Sequence, residues 1–129
     1  MISNAFDKPI RVLGISGSLR KYSYNSALLQ TATRLLPTGM LLEIFDLSPL
    51  PVFNQDDEKP FPPAVVDFRN RIATGDALLI ASPEYNASVT GALKNAIDWA
   101  SRPPAQPLYG KPVAIIGAST GNFGTLRAQ

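Results

Sequence analysis

The chain has 129 residues, with 12 basic and 10 acidic side chains (net charge +2, pI about 9.1) and neither cysteine nor histidine. That length suits one domain, and 45% hydrophobic against 17% charged residues separates it from disordered chains. The missing cysteines and histidines exclude disulfide frameworks, thiolate nucleophiles, the commonest metal ligands and an imidazole base, so difficult chemistry must come from a bound cofactor or a carboxylate.

The mild, scattered positive charge does not point to nucleic acid. No apolar run approaches the roughly 20 residues of a membrane span, and Met1 to Pro9 lacks a signal-peptide core. The expectation is a soluble cytoplasmic protein with no metal, nucleic-acid or membrane partner.

An apolar run predicts a first strand over about Arg11 to Ser16. It leads through a small, hydroxyl-rich turn, Gly14-Ile15-Ser16-Gly17-Ser18-Leu19-Arg20, to a first helix from about Asn25 to Leu36, stopped by Pro37 and Gly39. A second strand follows at Leu41 to Leu47. The loop after it carries Pro49, Pro51, Pro60, Pro62 and Pro63, and its length suits a binding or lid segment. The second helix spans about Ala64 to Ala73, with Val65, Phe68, Arg69 and Ile72 at helical spacing, and the third strand is Ala77 to Ala81. The third helix, about Thr90 to Ser101, has an expected inward stripe of Val89, Leu93 and Ile97 with Ala96 and Ala100 alongside. Trp99 on that helix reads as core or subunit-interface packing, with a place beside the ligand as the alternative. The fourth strand is Val113 to Ile116, followed by a Gly-rich turn and the beginning of a fourth helix before Gln129.

Strands one, three and four are nearly all apolar, the pattern of parallel strands covered on both faces. Right-handed crossovers then give a doubly wound α/β sheet whose ligands sit at the C-terminal strand ends. Three loops leave those ends: residues 16–25, 82–90 and 117–124.

The first loop offers backbone N–H groups and a positive helix end, a site suited to phosphate, and Arg20 adds a fork of donors that matches phosphate oxygens. It lacks the Gly-Lys-Ser/Thr of a nucleotide P-loop and the third glycine of a dinucleotide fingerprint. Asp46, near the end of the second strand, lacks those glycines as company. Ser23 or Asn25 also serves as a helix cap, and a capped turn without a ligand is the plainer alternative. The second loop, Ser82-Pro83-Glu84-Tyr85-Asn86-Ala87-Ser88-Val89-Thr90-Gly91, brings an aromatic ring, an amide and hydroxyls to a helix start, with Ser88 or Thr90 as its cap. The third, Gly117-Ala118-Ser119-Thr120-Gly121-Asn122-Phe123-Gly124, brings flexible backbone to a flat ligand from the other side. Singly, these two also read as a helix-entry loop and a flexible turn. Together, at one end of one sheet, the three point to a shared ligand.

GSLRKYSYN, SPEYNASVTGALKNAIDWASR and GASTGNFGTLRAQ resemble the NADPH-dependent FMN reductases, a flavodoxin-like family that includes quinone, azo-dye and chromate reductases. The resemblance covers nearly the whole chain. It implies a flavodoxin-like doubly wound parallel sheet of strand order 2-1-3-4, formed by a single domain over residues 1–129, with the family's fifth strand and last helix missing. It implies bound FMN, with NAD(P)H as hydride donor and a quinone, azo compound, free flavin or metal oxyanion as acceptor. By the same resemblance Ser16, Ser18, Arg20, Ser23, Asn25 and Ser26 surround the FMN phosphate. Pro83, Glu84, Tyr85, Asn86 and Ser88 line the isoalloxazine, and Ser119 and Gly121 close the other side. No side chain is assigned as an essential acid or base. A homodimer or homotetramer with the site near the interface is also implied. Without a fifth strand, the fourth becomes an apolar edge. Two other readings stand beside the enzyme. One is a flavodoxin-type electron carrier, against which the basic pI and Arg20 weigh. The other is a truncated FMN-binding or interaction protein without turnover.

Overall fold

Four aliphatic runs form one parallel sheet in the computed structural model, which describes residues 8–129: β1 (Ile10–Ser16), β2 (Met40–Phe45), β3 (Ala77–Ala81) and β4 (Val113–Ile116). The connections are α1 (Tyr24–Ala32), α2 (Pro63–Thr74) and α3 (Gly91–Ala100), with a short 3-10 turn at Gln55–Glu58 in the proline-rich loop. The sheet order is β2-β1-β3-β4 and every pair is parallel, as expected for a doubly wound sheet. Residues 1–7, part of the stretch without a signal-peptide core, lie outside the described residues. Among the described residues no helix is long and apolar enough to cross a membrane.

Alternation along β1 splits its side chains between two layers. Leu13 and Ile15 join Leu78 of β3, Phe68 and Ile72 of α2, and Leu93, Ala96 and Ala100 of α3 in one buried cluster. On the other face Gly14 leaves room for Leu29 of α1, whose methyl would lie 3.4 Å from a β-carbon placed there. β1 is buried over Val12–Ile15 and β3 is buried or half-buried throughout, but β4 departs from the expectation of cover on both faces. Its outer side pairs with no strand among the described residues, and Val113 and Ile115 are exposed.

Several element ends differ from the sequence expectation, each for a local reason. α1 stops at Ala32 rather than Leu36. The Thr31 and Thr33 hydroxyls donate to the carbonyls of Ala27 (2.9 Å) and Gln30 (2.7 Å), and the backbone tightens into three-residue turns, Arg34 N–H to Thr31 and Leu35 N–H to Ala32. β2 stops at Phe45 because the Asp46 carboxylate accepts from the Ser48 hydroxyl (2.6 Å) and N–H (2.9 Å), which closes a turn. Those bonds, the hydroxyl foremost, hold the Asp46 carboxyl below its ordinary value. The fourth helix does not form. Residues 121–128 make three-residue turns, from Gly124 to Gly121, Leu126 to Phe123 and Ala128 to Thr125, and Gly124 has φ +59°, which breaks any helical run.

On α3 the buried residues are Leu93, Ala96, Trp99 and Ala100, whereas Ile97 is partly exposed. Trp99 rotates the buried stripe. It is fully buried, donates its indole N–H to the Pro51 carbonyl (2.8 Å) and meets the ring of Phe53 edge-on at 4.8 Å. Trp99 is therefore core packing. Asn95 accepts from Phe53 N–H (2.7 Å) and donates to Pro51 (2.9 Å), so the proline-rich loop is pinned along α3.

Buried Arg69 closes the far end of α3. It donates to the carbonyls of Trp99 (2.7 Å), Ala100 (3.3 Å), Arg102 (2.7 Å) and Ala105, and its guanidinium sits 4.6 Å over the Phe61 ring. Helix-end carbonyls need such partners when buried. Replacing Arg69 with Met keeps the stem and removes the donors. The expected loss is about 2–3 kcal/mol in urea unfolding, and a change within experimental error would show that these bonds do not anchor α3.

Candidate functional site

The parallel register sets three strand ends at one level. Ser16 pairs with Ala81, and Ala81 with Ile116. The pairing runs one step further through Gly17 N–H to Ala81 (2.8 Å) and Ser82 N–H to Ile116 (3.1 Å). The three loops therefore depart side by side. Glycine is required at two departures. A β-carbon on Gly17 would stand 2.5 Å from the Ser82 hydroxyl, and one on Gly117 would overlap the buried Thr125 side chain.

In the first loop, Ser16 and Ser26 join hydroxyl to hydroxyl at 2.9 Å beneath the turn, and Ser18 N–H donates to the Ser16 hydroxyl at 3.3 Å. Ser23 caps α1 by accepting from the N–H groups of Asn25 (3.1 Å) and Ser26 (3.3 Å). The N–H groups of Leu19, Lys21, Tyr22 and Tyr24 have no acceptor among the described residues. Arg20 is exposed, lies 5.6 Å over the Tyr24 ring and has no carboxylate within ion-pair distance among the described residues.

The second loop turns tightly. Tyr85 and Ser88 exchange both backbone hydrogen bonds at 3.1 Å, with Asn86 and Ala87 between them at φ +52° and +59°. Asparagine tolerates that left-handed region, whereas alanine adopts it at a cost. Thr90 caps α3 by accepting from Leu93 N–H (3.1 Å), and donates to the Gly17 carbonyl (2.5 Å). Of the two candidate caps, Ser88 and Thr90, the helix uses Thr90. Glu84 accepts from Arg127 N–H (2.7 Å), tying this loop to the last turns of the chain.

In the third loop, Ala118 is bound to the Asn25 side chain through both its N–H and its carbonyl, at 2.9 and 3.1 Å. Gly121 N–H donates to the Ser119 hydroxyl (2.9 Å).

These loops enclose a pocket of about 310 Å³. Eight of the thirteen residues expected at the site line it: Ser18, Arg20, Ser23, Asn25, Pro83, Glu84, Tyr85 and Ser119. The other five frame it. Ser16 and Ser26 brace the first loop from below, Asn86 and Ser88 form the turn behind Tyr85, and Gly121 bonds to Ser119. The lining residues not expected from the sequence are Tyr24, Ala118 and Thr120. Thr120 stood inside a named loop, whereas Tyr24 looks like an ordinary surface aromatic at a helix start.

One side of the pocket thus carries hydroxyls, a helix N-terminus with the unengaged Tyr24 N–H, and a guanidinium without a carboxylate partner among the described residues, a donor set for a dianion. The other side carries the half-exposed Tyr85 ring and Ser119. The arrangement fits a ligand with a phosphate at one end and a flat ring at the other.

A family model described as NADPH-dependent FMN reductase matches residues 10–129. The NAD(P)H-dependent FMN reductase of Pseudomonas aeruginosa is 63% identical over 121 residues, which cover 93% of this chain and 65% of that protein. The NAD(P)H:quinone oxidoreductase of Solanum tuberosum is 49% identical over 125 residues, covering 93% of this chain and 63% of that protein. The solved structure of FerB, a flavoenzyme NAD(P)H:(acceptor) oxidoreductase of Paracoccus denitrificans, superposes with a TM-score of 0.86 at 40% identity, covering 92% of this chain and 66% of that one. The chain spans a little under two-thirds of the length of these relatives. The fold is flavodoxin-like.

The Thr90 hydroxyl joins helix cap to first loop, so Thr90→Val removes two bonds at nearly constant shape. The expected cost is about 1–2 kcal/mol, with Thr90→Ser close to the parent in urea unfolding. Equal losses in both variants would assign the effect to the methyl group instead.

Proposed function

The chain belongs to the NADPH-dependent FMN reductase family, and we propose that it binds FMN in the three-loop pocket and carries a hydride from NAD(P)H to a quinone. The observation that carries this reading is the pairing, in one pocket, of a phosphate-type donor set at the start of α1 with a flat wall at Tyr85 and Ser119.

In this reading Arg20, Ser18, Ser23 and the N-terminus of α1 hold the phosphate. Ser16 and Ser26 keep the loop in shape beneath it. Pro83, Glu84 and Tyr85, supported by Asn86 and Ser88, form one wall of the ring site. Ser119 and Gly121 close the opposite side. FMN, when bound, supplies the redox chemistry that a chain without Cys or His does not. The protein contributes position and electrostatics, and no side chain acts as an obligatory acid or base. Glu84 is a structural acceptor for Arg127 N–H. The nicotinamide and the acceptor use the same open face in turn, which gives ping-pong kinetics.

Quinones head the acceptors because relatives are named as quinone reductases. Azo compounds, free flavin and metal oxyanions complete the proposed range. The proposal includes a cytoplasmic location and a homodimer or homotetramer. The second reading is an FMN-binding or interaction protein without turnover.

Two measurements test the proposal. The chain loaded with FMN should oxidise NAD(P)H when a benzoquinone is added, and retained flavin without quinone-dependent turnover would favour the second reading. Arg20→Ala should weaken FMN binding about 10- to 100-fold while leaving riboflavin binding unchanged. Unchanged FMN affinity would remove Arg20 from the phosphate site.

A further inference from the structure

Asn25 lies in the first turn of α1 and is almost fully buried, at 2% exposure. Its amide oxygen accepts from Ala118 N–H at 2.9 Å and its amide nitrogen donates to the Ala118 carbonyl at 3.1 Å. One side chain thus satisfies both polar groups of one residue 93 positions away. The partners fix the orientation of the amide, since the N–H needs an acceptor and the carbonyl a donor. A carboxamide offers both on one planar group without a change of protonation state, and Gln, the other carboxamide, is one carbon longer. Ser23 fixes the other end, because its hydroxyl accepts from the backbone N–H of Asn25.

We infer that Asn25 is a positioning residue whose amide clasps Ala118 and locks the third loop to the phosphate-side loop, so that both walls of the pocket meet a ligand as one preorganised unit. The inference rests on the flavin-binding reading above and departs from the expectation that Asn25 serves chiefly as a phosphate ligand. The Ala118 N–H is consumed by the clasp. The neighbouring N–H groups of Ser119 and Thr120, which have no acceptor among the described residues, remain to face a ligand. Loss of the clasp frees a loop that binding must then order, and that ordering weakens affinity for any ligand touching the third loop.

The test uses Asn25→Ala and the isosteric Asn25→Asp, which keeps the acceptor for Ala118 N–H but turns a second oxygen toward the Ala118 carbonyl. Amide hydrogen exchange of the flavin-free chain should speed up at Ala118 by roughly tenfold or more, with β1 and α3 unchanged. In Asn25→Ala, FMN and riboflavin should weaken by the same factor, because the loop and not the phosphate contact is lost. In Asn25→Asp, riboflavin should weaken as well. Unchanged Ala118 exchange would overturn the clasp. A loss confined to FMN would overturn it in favour of a direct phosphate ligand, and acceleration throughout the chain would reduce Asn25 to general stability. If the parent chain binds neither flavin, the reading of the pocket fails, while Ala118 exchange still decides the clasp.

Discussion

The parallel register of β1, β3 and β4 is the constraint on which the rest depends. Ser16, Ala81 and Ile116 lie abreast, so three loops distant in sequence begin at one height. A two-residue slip in either pairing would move one loop along the strand direction by more than 6 Å and open the pocket. The register is set by burial. Leu13 and Ile15 of β1 and Leu78 of β3 must face α2 and α3, and a one-residue slip would turn them to the other layer.

Leveling the loops does not by itself make a pocket, because free loops would still cost entropy to order. Three side-chain contacts remove much of that freedom. Thr90 ties the start of α3 to Gly17, Asn25 ties the first loop to the third, and Glu84 ties the second loop to the last turns. Each uses a side chain to satisfy a backbone group, so the rims are held without consuming Arg20 or the N–H groups of Leu19, Lys21, Tyr22 and Tyr24. Those remain for an anion. Close approach at Gly17 and Gly117 lets the three loops pack without a gap.

Much of this was legible in the sequence where the determinant was local. β3 and β4 fall at the expected residues because their aliphatic runs are bounded by turn formers; a parallel sheet follows from continuous apolar strands separated by helices, whereas the strand order was implied by the family resemblance. The end of α1 was not legible. Leu35 and Leu36 continue the helical pattern, but the Thr31 and Thr33 hydroxyls compete for backbone carbonyls. The buried face of α3 was misjudged at Ile97 because the seat of Trp99 is made by Pro51 and Phe53, remote residues that helical periodicity cannot report. The site shows the same division. Eight of the residues that the family resemblance placed around the flavin line the pocket, whereas the Asn25–Ala118 clasp depends on a contact across most of the chain and leaves no local signal.

The central claim is that one ligand, FMN, spans the phosphate-side and ring-side walls of this pocket. A crystal structure of the chain with FMN tests it most directly. The account predicts the phosphate among Ser18, Arg20 and Ser23, the ring between Tyr85 and Ser119, and the Asn25–Ala118 clasp intact. The flavin seated elsewhere, such as in the groove of about 550 Å³ between the proline-rich loop and α3, would contradict it.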